Sequence, residues 1–321
     1  MEIAEALSRL NTFTDVPLID LRGSSTLWRD TRLEKDEVLW GQGSATFEMG
    51  LLLTGQLGAF VNETEVGRIS PGQLVGEASV FTSRVPRSAD VIATMEGRVL
   101  LIDAEDLALM RGQFPPVYDA LLDQALVQIV RRINATDLEI AKVAPGEVPA
   151  PERRDESIIQ RFFKQITNPS GGMTPIITPI LRSMEGMEDV SDSLLTRMSA
   201  AFEPKRINKD DPVFLEGERG STVYVIAEGE IDVLRNVPGR NAMKLVTLGP
   251  GSLFGTGCLV LGGGRRAASC VATTKAWVFE MSHDSYRHLK GDEGRIWRES
   301  LMGALRHQIM QANALLARYK A

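Results

Sequence analysis

The sequence is poor in the residues from which most catalytic and metal centres are built. It has only two cysteines, Cys258 and Cys270, and three histidines, His283, His288 and His307. Neither cysteine has a neighbouring His or acid arranged to activate a thiol, and the histidines lack metal-ligand partners at useful spacing. No phosphate-binding Walker loop or nucleophile elbow is present. We therefore expect no enzyme activity, no metal and no cofactor.

Long hydrophobic runs and an excess of positive charge are also missing. No stretch approaches the roughly 18 apolar residues of a spanning helix, and no signal peptide is visible at the N-terminus. The net charge of −6 offers no attraction for DNA or anionic lipid. So few cysteines form no disulfide framework, which indicates a reducing compartment. These absences predict a cytoplasmic protein with no membrane partner and no direct DNA binding.

Glycine, in contrast, is abundant, with 29 residues. Between about residues 37 and 102, short apolar runs are separated by glycines at a spacing of roughly eight to twelve residues, typical of a β-barrel or jelly roll. From Val117 the apolar period changes to steps of three and four. The members of this second pattern are Leu122, Leu126, Ile129, Ile133, Thr136 and Ile140. This spacing predicts a long helix with one apolar seam.

The pattern of the first half returns in the second half. The matched pairs, 174 or 179 residues apart, are Gly43 and Gly217, Gly55 and Gly229, Gly72 and Gly251, Gly76 and Gly255, and Arg87 and Arg266. The five extra residues fall within 235–242, where a hairpin tip tolerates insertion. The second copy also ends in a helical seam, formed by Met302, Leu305, Ile309, Ala312, Leu316 and Tyr319. The sequence therefore predicts an internal duplication of a whole domain.

A proline-rich segment separates the two copies. Residues 144–173 contain four prolines, a charged run and a turn-rich end, which indicates a linker with one short helical segment. We predict a first domain at 1–143, this linker at 144–173 and a second domain at 174–321. The predicted fold class is α+β, mainly β: two β-barrels of the jelly-roll (double-stranded β-helix) type, each followed by a long C-terminal helix.

The stretch 76–89 has the composition of a site for a small anion attached to a sugar. Gly76 lets the backbone approach a ligand closely. The forked guanidinium of Arg87 matches the oxygens of a phosphate. The carboxylate of Glu77 can accept a hydrogen bond from a ribose hydroxyl. This order of residues predicts a cup for a sugar phosphate.

In this order and spacing the stretch resembles the phosphate-binding cassette of the cyclic nucleotide-binding domain. That family is shared by the bacterial catabolite activator protein and the regulatory subunits of the cyclic-AMP-dependent protein kinase. The resemblance implies that Arg87 and Ser88 hold the cyclic phosphate. It also implies that Glu77 accepts from the ribose 2′-hydroxyl, with the backbone of Gly76 close by. The predicted ligand-binding set of the first copy is Gly76, Glu77, Ala78, Arg87, Ser88, Ala89, Arg132, Thr136 and Asp137.

The helix after the first barrel extends the resemblance. Residues 131–137 are similar to a catabolite-activator segment that reads Arg-Arg-Leu-x-x-Thr-Ser. This implies that Thr136 contacts the exocyclic amino group of the base and that Arg132 braces Glu77, although a seam-filling role for Thr136 stays open. Asp137 stands where the family has Ser, and its carboxylate suits the amino and imino edge of guanine as well as the amino group of adenine. Both cyclic AMP and cyclic GMP are candidate ligands, with cyclic AMP favoured.

The second copy keeps only part of this pattern. Thr256 stands where the ribose-binding carboxylate is expected, and Ala312 and Asn313 stand where the first copy has Thr136 and Asp137. The corresponding second site consists of Gly255, Thr256, Arg265, Arg266 and Ala267. We predict that it binds a cyclic nucleotide weakly or not at all, although its arginines retain the chemistry to hold an anion.

The resemblance implies a receptor that signals through another protein. Cyclic nucleotide binds the first domain, and the helix from about Val117 relays the event to an unidentified protein partner. Because the sequence ends at Ala321, directly after the second long helix, we expect no DNA-reading helix-turn-helix. The apolar seams are expected to pair within one chain as an internal pseudo-dimer, or between two chains as a homodimer. The alternative is a ligand-free scaffold of two interaction modules, which the departures at Thr256, Asp137 and Asn313 favour.

Overall fold

The computed structural model describes residues 3–81, 86–143, 174–236 and 242–320. Contacts divide the chain into two units, Met1–Val143 with Leu301–Ala321, and Ala144–Ser300. The last helix is divided between these two units, whereas the predicted second domain, 174–321, contains all of it. The predicted domain bounds, 1–143 and 174–321, stay a prediction. The predicted linker 144–173, most of the predicted hairpin tip and residues 82–85 of the cup lie outside the described residues.

The first unit combines short N-terminal helices, an antiparallel sheet and one long helix. Its helices are α1 (Ile3–Ser8), α2 (Leu18–Ser24), α3 (Ala104–Gln113) and α4 (Pro115–Val143), with 3₁₀ turns at Asn11–Phe13, Ser25–Leu27 and Glu77–Ser79. Its strands are β1 (Arg29–Leu33), β2 (Val38–Trp40), β3 (Glu48–Val61), β4 (Thr64–Ile69), β5 (Leu74–Val75) and β6 (Asp90–Asp103). The strand order is β1-β6-β3-β4, with β2 paired to β6 and β5 paired to β3.

The long strand β3 changes partner at a glycine. It pairs with β5 over Gly50–Leu51 and with β4 over Leu57–Val61. Between these segments Gly55 has φ +84°, and a Cβ there would lie 2.4 Å from the carbonyl oxygen of Glu96. A side chain is therefore excluded at Gly55, where the register of β3 against β6 shifts. The glycine spacing that predicted a barrel reflects this requirement.

The second unit repeats this architecture. Its helices are α5 (Thr178–Arg182), α6 (Asp192–Ser199), α7 (Thr256–Val260) and α8 (His283–His288), and α9 (Gly291–Lys320) begins in it. Its strands are β7 (Glu203–Ile207), β8 (Pro212–Phe214), β9 (Arg219–Gly220), β10 (Thr222–Glu228), β11 (Ile231–Arg235), β12 (Met243–Leu248), β13 (Leu253–Phe254), β14 (Gly264–Arg265), β15 (Ser269–Ala272) and β16 (Ala276–Ser282). They form the sheets β13-β10-β16-β7 and β12-β11-β15-β8 and the short ladder β14-β9. The predicted fold class, two mainly antiparallel β units with helices, is confirmed.

Each unit has its own apolar interior between the strands. In the first unit it is built from Leu33, Trp40, Leu52, Leu57, Ile69, Val75, Val91, Ala93, Val99 and Leu101. In the second unit it is built from Phe214, Tyr224, Ile226, Ile231, Phe254, Cys270, Ala272, Ala276 and Val278. The two cysteines are free and buried, so Cys270 behaves as a core residue, and burial raises the pKa of its thiol to about 12.

The predicted helical seams coincide with the buried faces of α4 and α9. All six predicted seam residues of α4 are buried, including Thr136, which is 4% exposed. On α9 the predicted residues from Met302 to Leu316 are buried as well. Among the described helices, none is long and apolar enough to cross a membrane.

The helix that follows the last strand of each copy begins at an equivalent cap. Asp103 accepts hydrogen bonds from the backbone N–H groups of Glu105 at 2.9 Å and Asp106 at 2.8 Å. Ser282, at the matching register, accepts from the backbone N–H of Ser285 at 3.0 Å. Each side chain satisfies a donor that the first turn of a helix leaves unpaired.

Replacing Asp103 with alanine is expected to lower the free energy of unfolding of the first unit by about 1 kcal/mol, because two helix N–H groups lose their acceptor. Urea unfolding followed by circular dichroism measures the change. Asp103→Asn is the control, since asparagine caps helices about as well as aspartate. Equal losses in the two variants would show that the charge of Asp103, and not its capping oxygen, is responsible.

Candidate functional site

The predicted cup begins at a left-handed turn directly after β5. Gly76 has φ +77° and ψ +7° and precedes the 3₁₀ turn Glu77–Ser79. A Cβ at this position would lie 2.5 Å from Nη1 of Arg87 and 2.8 Å from the ring of Trp40. The glycine is therefore required both by its backbone angle and by the close approach of Arg87.

Arg87 lies under this turn and is 4% exposed. Its Nη2 donates to the carbonyl oxygen of Glu48 at 2.6 Å, its Nε to the hydroxyl of Thr46 at 3.2 Å and its Nη1 to the carbonyl oxygen of Gly76 at 3.4 Å. The guanidinium carbon lies 3.7 Å from the ring centroid of Trp40. This packing fixes the plane of the guanidinium against the indole.

The charge of Arg87 has no directly bonded carboxylate among the described residues. Its hydrogen-bond acceptors are two carbonyls and a hydroxyl, all uncharged. Burial lowers the pKa of Arg87 to about 10, and the nearby carboxylates of Glu48 and Glu77 only partly oppose this shift. A bound anion in contact with the guanidinium would stabilise its charged form. The cup is therefore electrostatically suited to an anion.

Glu77 is the buried carboxylate of the cup, with 1% of its surface exposed. Its Oε1 accepts from Nη1 of Arg132 at 2.6 Å. Its Oε2 is buried and has no hydrogen-bond partner in the described part of the chain. A buried carboxylate oxygen without a donor is costly, so this atom is suited to receive a hydroxyl from a ligand.

A stripe of three polar residues lies on α4, and two of them contact this region. Gln128, Arg132 and Thr136 are spaced four apart and therefore share one face of the helix. Oε1 of Gln128 accepts from the backbone N–H of Leu74 at 2.8 Å, and Nη2 of Arg132 donates to the carbonyl oxygen of Leu74 at 2.7 Å. The helix thus holds both backbone groups of the residue that begins β5, two positions before Gly76.

Thr136 lies one helical turn beyond Arg132, and its hydroxyl donates to Oδ1 of Asn313 at 3.5 Å. Both residues belong to the first unit, which includes residues 301–321. The seam of α4 therefore meets the C-terminal part of α9 within the same chain.

The remaining predicted residues are distributed around the cup. Ala78 lies in the 3₁₀ turn, and Ser88 and Ala89 follow Arg87, with Ser88 exposed and the two alanines half-buried. Asp137 is half-buried on α4. The structure thus brings Arg87 into contact with Gly76 and Arg132 into contact with Glu77, the residue that follows Gly76.

Sequence reasoning missed Trp40, Thr46, Glu48 and Gln128. The aromatic residue at position 40 recurs as Phe214, 174 residues later, which was an available signal. Gln128 was detectable as the residue four positions before Arg132. Glu48 contributes its backbone carbonyl, which any residue supplies, so no sequence signal exists for that contact.

The second copy reproduces the arginine geometry. Gly255 has φ +78° and ψ +7°, and Arg266 is 5% exposed. Nη1 of Arg266 donates to the carbonyl oxygens of Thr222 at 2.8 Å and Gly255 at 3.3 Å, and its guanidinium lies 4.0 Å from the ring centroid of Phe214. Phe214 and Thr222 stand 174 residues after Trp40 and Glu48, so the two cups have equivalent frames.

The contents of the second cup differ from those of the first. Thr256, which replaces the carboxylate, is 7% exposed. Arg265 is exposed and donates to the carbonyl oxygen of Gly217 at 2.9 Å, and Ala267 is exposed. Tyr224 stacks on Phe254 with a centroid distance of 5.0 Å and lies 5.8 Å from the guanidinium of Arg266. The second cup has an anion-binding group without the sugar-binding carboxylate.

A family model described as the cyclic nucleotide-binding domain matches residues 30–112 and 204–291, together more than half of the chain. Each matched segment contains one of the two cups.

Curated relatives align with parts of the chain. The CRP-like cAMP-activated global transcriptional regulator of Mycobacterium tuberculosis is 26% identical over 130 residues, 40% of this chain and 57% of that protein. The cyclic AMP receptor protein of Thermus thermophilus is 32% identical over 85 residues, 26% of this chain and 39% of that protein. Human cGMP-dependent protein kinase 2 is 31% identical over 81 residues, 25% of this chain and 11% of that protein. The chain thus spans less than two thirds of the length of these relatives.

Solved structures also resemble the chain. The regulatory domain of Toxoplasma gondii PKA with cAMP is 15% identical, with a TM-score of 0.33 and coverage of 91% of this chain and 92% of that one. A cyclic nucleotide-binding domain from Methylobacillus flagellatus is 19% identical, with a TM-score of 0.40 and coverage of 47% of this chain and 80% of that one.

Proposed function

The chain belongs to the cyclic nucleotide-binding domain family, and from this premise we propose that its first unit binds a cyclic nucleotide in the cup of Gly76, Glu77 and Arg87. One observation carries the proposal. A buried guanidinium with only uncharged acceptors in the described residues lies near a buried carboxylate that has one unpaired oxygen. A cyclic phosphate and a ribose 2′-hydroxyl are one ligand that supplies both missing partners.

In this proposal Arg87 pairs with the cyclic phosphate, and Ser88 adds its exposed hydroxyl. Oε2 of Glu77 accepts from the ribose 2′-hydroxyl, while Arg132 holds the other oxygen of that carboxylate. The backbone of residues 76–78 and Ala89 completes the cup. Thr136 and Asp137 on α4 face the base.

Cyclic AMP is the proposed ligand in preference to cyclic GMP. The relatives include proteins named for each nucleotide, a cAMP-activated regulator and a cGMP-dependent kinase, so the assignment depends on this chain's own residues. Thr136 donates its hydroxyl hydrogen to Asn313 and so presents lone pairs, which suit the amino group of adenine.

We propose a regulatory and non-catalytic role in which α4 relays ligand binding to a protein partner. The helix contacts the cup through Arg132 and Gln128 and contacts α9 through Thr136. A ligand that changes the position of β5 or Glu77 therefore acts directly on the helix and its seam. The second site is proposed to bind cyclic nucleotide weakly or not at all, because Thr256 offers the ribose a neutral hydroxyl in place of a carboxylate, and hydrogen bonds to charged groups are the stronger ones.

A ligand-free scaffold is the second candidate function. The observation that favours it is the second cup, in which the carboxylate is absent and Tyr224 and Phe254 stack beside Arg266. If the first cup also remained empty in solution, both units would serve as interaction modules.

Calorimetric titration of the full chain with cyclic AMP and with cyclic GMP separates the two candidates. The receptor proposal expects one equivalent of cyclic AMP to bind with higher affinity than cyclic GMP. Absence of heat and of thermal stabilisation with both nucleotides would remove the receptor proposal and leave the scaffold.

The role of Glu77 gives a prediction about the sugar. The wild-type chain is expected to bind cyclic AMP more tightly than its 2′-deoxy analogue by about 1–3 kcal/mol, because the analogue leaves the buried Oε2 of Glu77 without a donor. Glu77→Gln is expected to reduce this difference. Glu48→Gln is the matched control, since the carboxylate of Glu48 faces Arg29 and Trp40 and only its backbone carbonyl contacts Arg87. Equal affinity of the wild-type chain for both nucleotides would contradict the assigned role.

A further inference from the structure

The indole of Trp40 connects the arginine of the first cup to the carboxylate of Glu48. Trp40 lies on β2 and is 4% exposed, and its ring centroid is 3.7 Å from the guanidinium carbon of Arg87. Its Nε1 donates to Oε2 of Glu48 at 3.3 Å, and Oε1 of Glu48 accepts from Nη2 of Arg29 at 2.8 Å. The indole is therefore held at its N–H edge while one of its faces covers Arg87.

Glu48 acts on Arg87 in two ways. Its backbone carbonyl oxygen accepts from Nη2 of Arg87 at 2.6 Å, whereas its carboxylate is directed to Trp40 and Arg29. A carboxylate that bonds an indole and another arginine does not occupy the N–H groups of Arg87. Glu48 thus fixes the position of the guanidinium and leaves its charge to a ligand.

These contacts restrict how Arg87 can receive a phosphate. A guanidinium has five N–H groups in a rigid fork. Acceptors in the described chain take three of them, namely the carbonyl oxygens of Gly76 and Glu48 and the hydroxyl of Thr46, and the indole covers one face. The two exocyclic oxygens of a cyclic phosphate point in different directions from its ring. A guanidinium that cannot turn therefore binds one of these oxygens in preference to the other.

The second copy replaces both partners of this arrangement together. Phe214 stands at the position of Trp40, and its ring centroid lies 4.0 Å from the guanidinium carbon of Arg266. A phenyl ring has no N–H group to donate. At the position of Glu48 the second copy has Thr222, whose hydroxyl accepts directly from Nη2 of Arg266 at 2.5 Å. The carboxylate is thus present in the copy whose ring has an N–H group for it, and absent in the other.

We infer that Trp40 is a positioning residue for phosphate recognition: its indole, oriented by the carboxylate of Glu48, fixes the plane of Arg87 so that the first site distinguishes the two exocyclic oxygens of a cyclic phosphate. The inference rests on the proposed function. In this role Trp40 acts through Arg87.

The test is a calorimetric titration of the full chain with cyclic AMP and with the two diastereomers of its phosphorothioate analogue. In these diastereomers sulfur, a weak acceptor, replaces one exocyclic oxygen or the other. The wild-type chain is expected to bind one diastereomer roughly 10- to 100-fold more tightly than the other, the range for a hydrogen bond to a charged group. The measured quantity is this ratio of affinities.

Substitutions of Trp40 test the aromatic face. Trp40→Met fills the site without a ring and is expected to reduce the ratio to about threefold or less. Trp40→Phe keeps a ring, as at Phe214, and is expected to retain a ratio within about threefold of the wild type. Phe214→Met is the matched control, because it removes the corresponding ring beside Arg266 in the second cup, and it is expected to leave the ratio unchanged. Thermal unfolding checks that each variant folds.

Substitutions of Glu48 test the orientation of the indole and remain decisive if Trp40→Met does not fold. Glu48 is half-buried, so its replacement leaves no large cavity. Glu48→Leu removes the acceptor of the indole N–H and is expected to lower the ratio roughly two- to tenfold. Glu48→Gln keeps an acceptor and is expected to restore the wild-type ratio.

Each outcome decides the inference. An unchanged ratio in Trp40→Met or in Glu48→Leu overturns it, even where both diastereomers bind more weakly, since a purely structural role would weaken them alike. Equal losses of the ratio in Trp40→Met and Trp40→Phe overturn it as well, and so does a wild-type ratio near one. A wild-type chain that binds neither cyclic AMP nor its analogues removes the proposed function itself, which distinguishes that failure from a failure of the role of Trp40 alone.

Discussion

Replacing Arg87 with alanine is expected to lower the affinity of the first unit for cyclic AMP by about 2–5 kcal/mol, roughly 30-fold to more than a thousandfold. Arg87 is 4% exposed, and its acceptors in the described chain are uncharged. The cyclic phosphate would thus be its main anionic partner. Without the guanidinium, a phosphate would be desolvated in the cup with no cation directly opposite it.

The duplication supplies a matched control for this prediction. Arg266 has the same burial and the same kind of carbonyl and ring contacts as Arg87, but it lies in the second cup. Arg266→Ala is therefore expected to cause a similar loss of packing and to leave cyclic AMP affinity within about twofold, because Arg266 and Arg87 share no hydrogen-bond acceptor and independent sites affect each other little. Calorimetry measures the affinities, and thermal unfolding confirms that both variants fold. Equal affinities in the two variants would place the ligand elsewhere.

The cup was predictable in part because the chain carries it twice. Gly76 and Arg87 recur in constant register as Gly255 and Arg266, and the structure gives both glycines the same left-handed turn. Residue type alone could not show what Trp40 does, because a lone aromatic in a barrel pattern is usually core. The backbone carbonyl of Glu48, which accepts from Arg87, is independent of residue type and so leaves no trace in the sequence.

For the long helices, too, the sequence predicted which face is buried but not what covers that face. A spacing of three and four residues predicted the seams of α4 and α9, because apolar burial follows helical periodicity. Periodicity does not say which surface covers a seam, and the sequence left internal and intermolecular pairing open. The contact of Thr136 with Asn313 shows the seam of α4 meeting α9 in the same chain. It also explains why Thr136 is compatible with both roles considered for it: it is buried in the seam and lies one turn from Arg132.

Gly76→Ala is expected to abolish cyclic nucleotide binding and to lower the free energy of unfolding of the first unit by about 1–3 kcal/mol, the cost of a strained left-handed residue. The added Cβ would lie 2.5 Å from Nη1 of Arg87 and 3.0 Å from the carbonyl oxygen of Glu48, so the guanidinium must move from its position. Calorimetric titration and urea unfolding measure the two effects.

Gly255→Ala separates the loss of the ligand site from general destabilisation. Its φ of +78° and the approach of its added Cβ to Nη1 of Arg266, 2.7 Å, nearly reproduce the conditions at Gly76. This variant is expected to destabilise the second unit by a similar amount while cyclic AMP binding persists. Gly67→Ala, where no atom lies within 4 Å of the added Cβ, should change neither property. If Gly76→Ala bound cyclic AMP as tightly as the wild type, Arg87 would not need its present position to hold the phosphate, and the cup would have to be assigned to other residues.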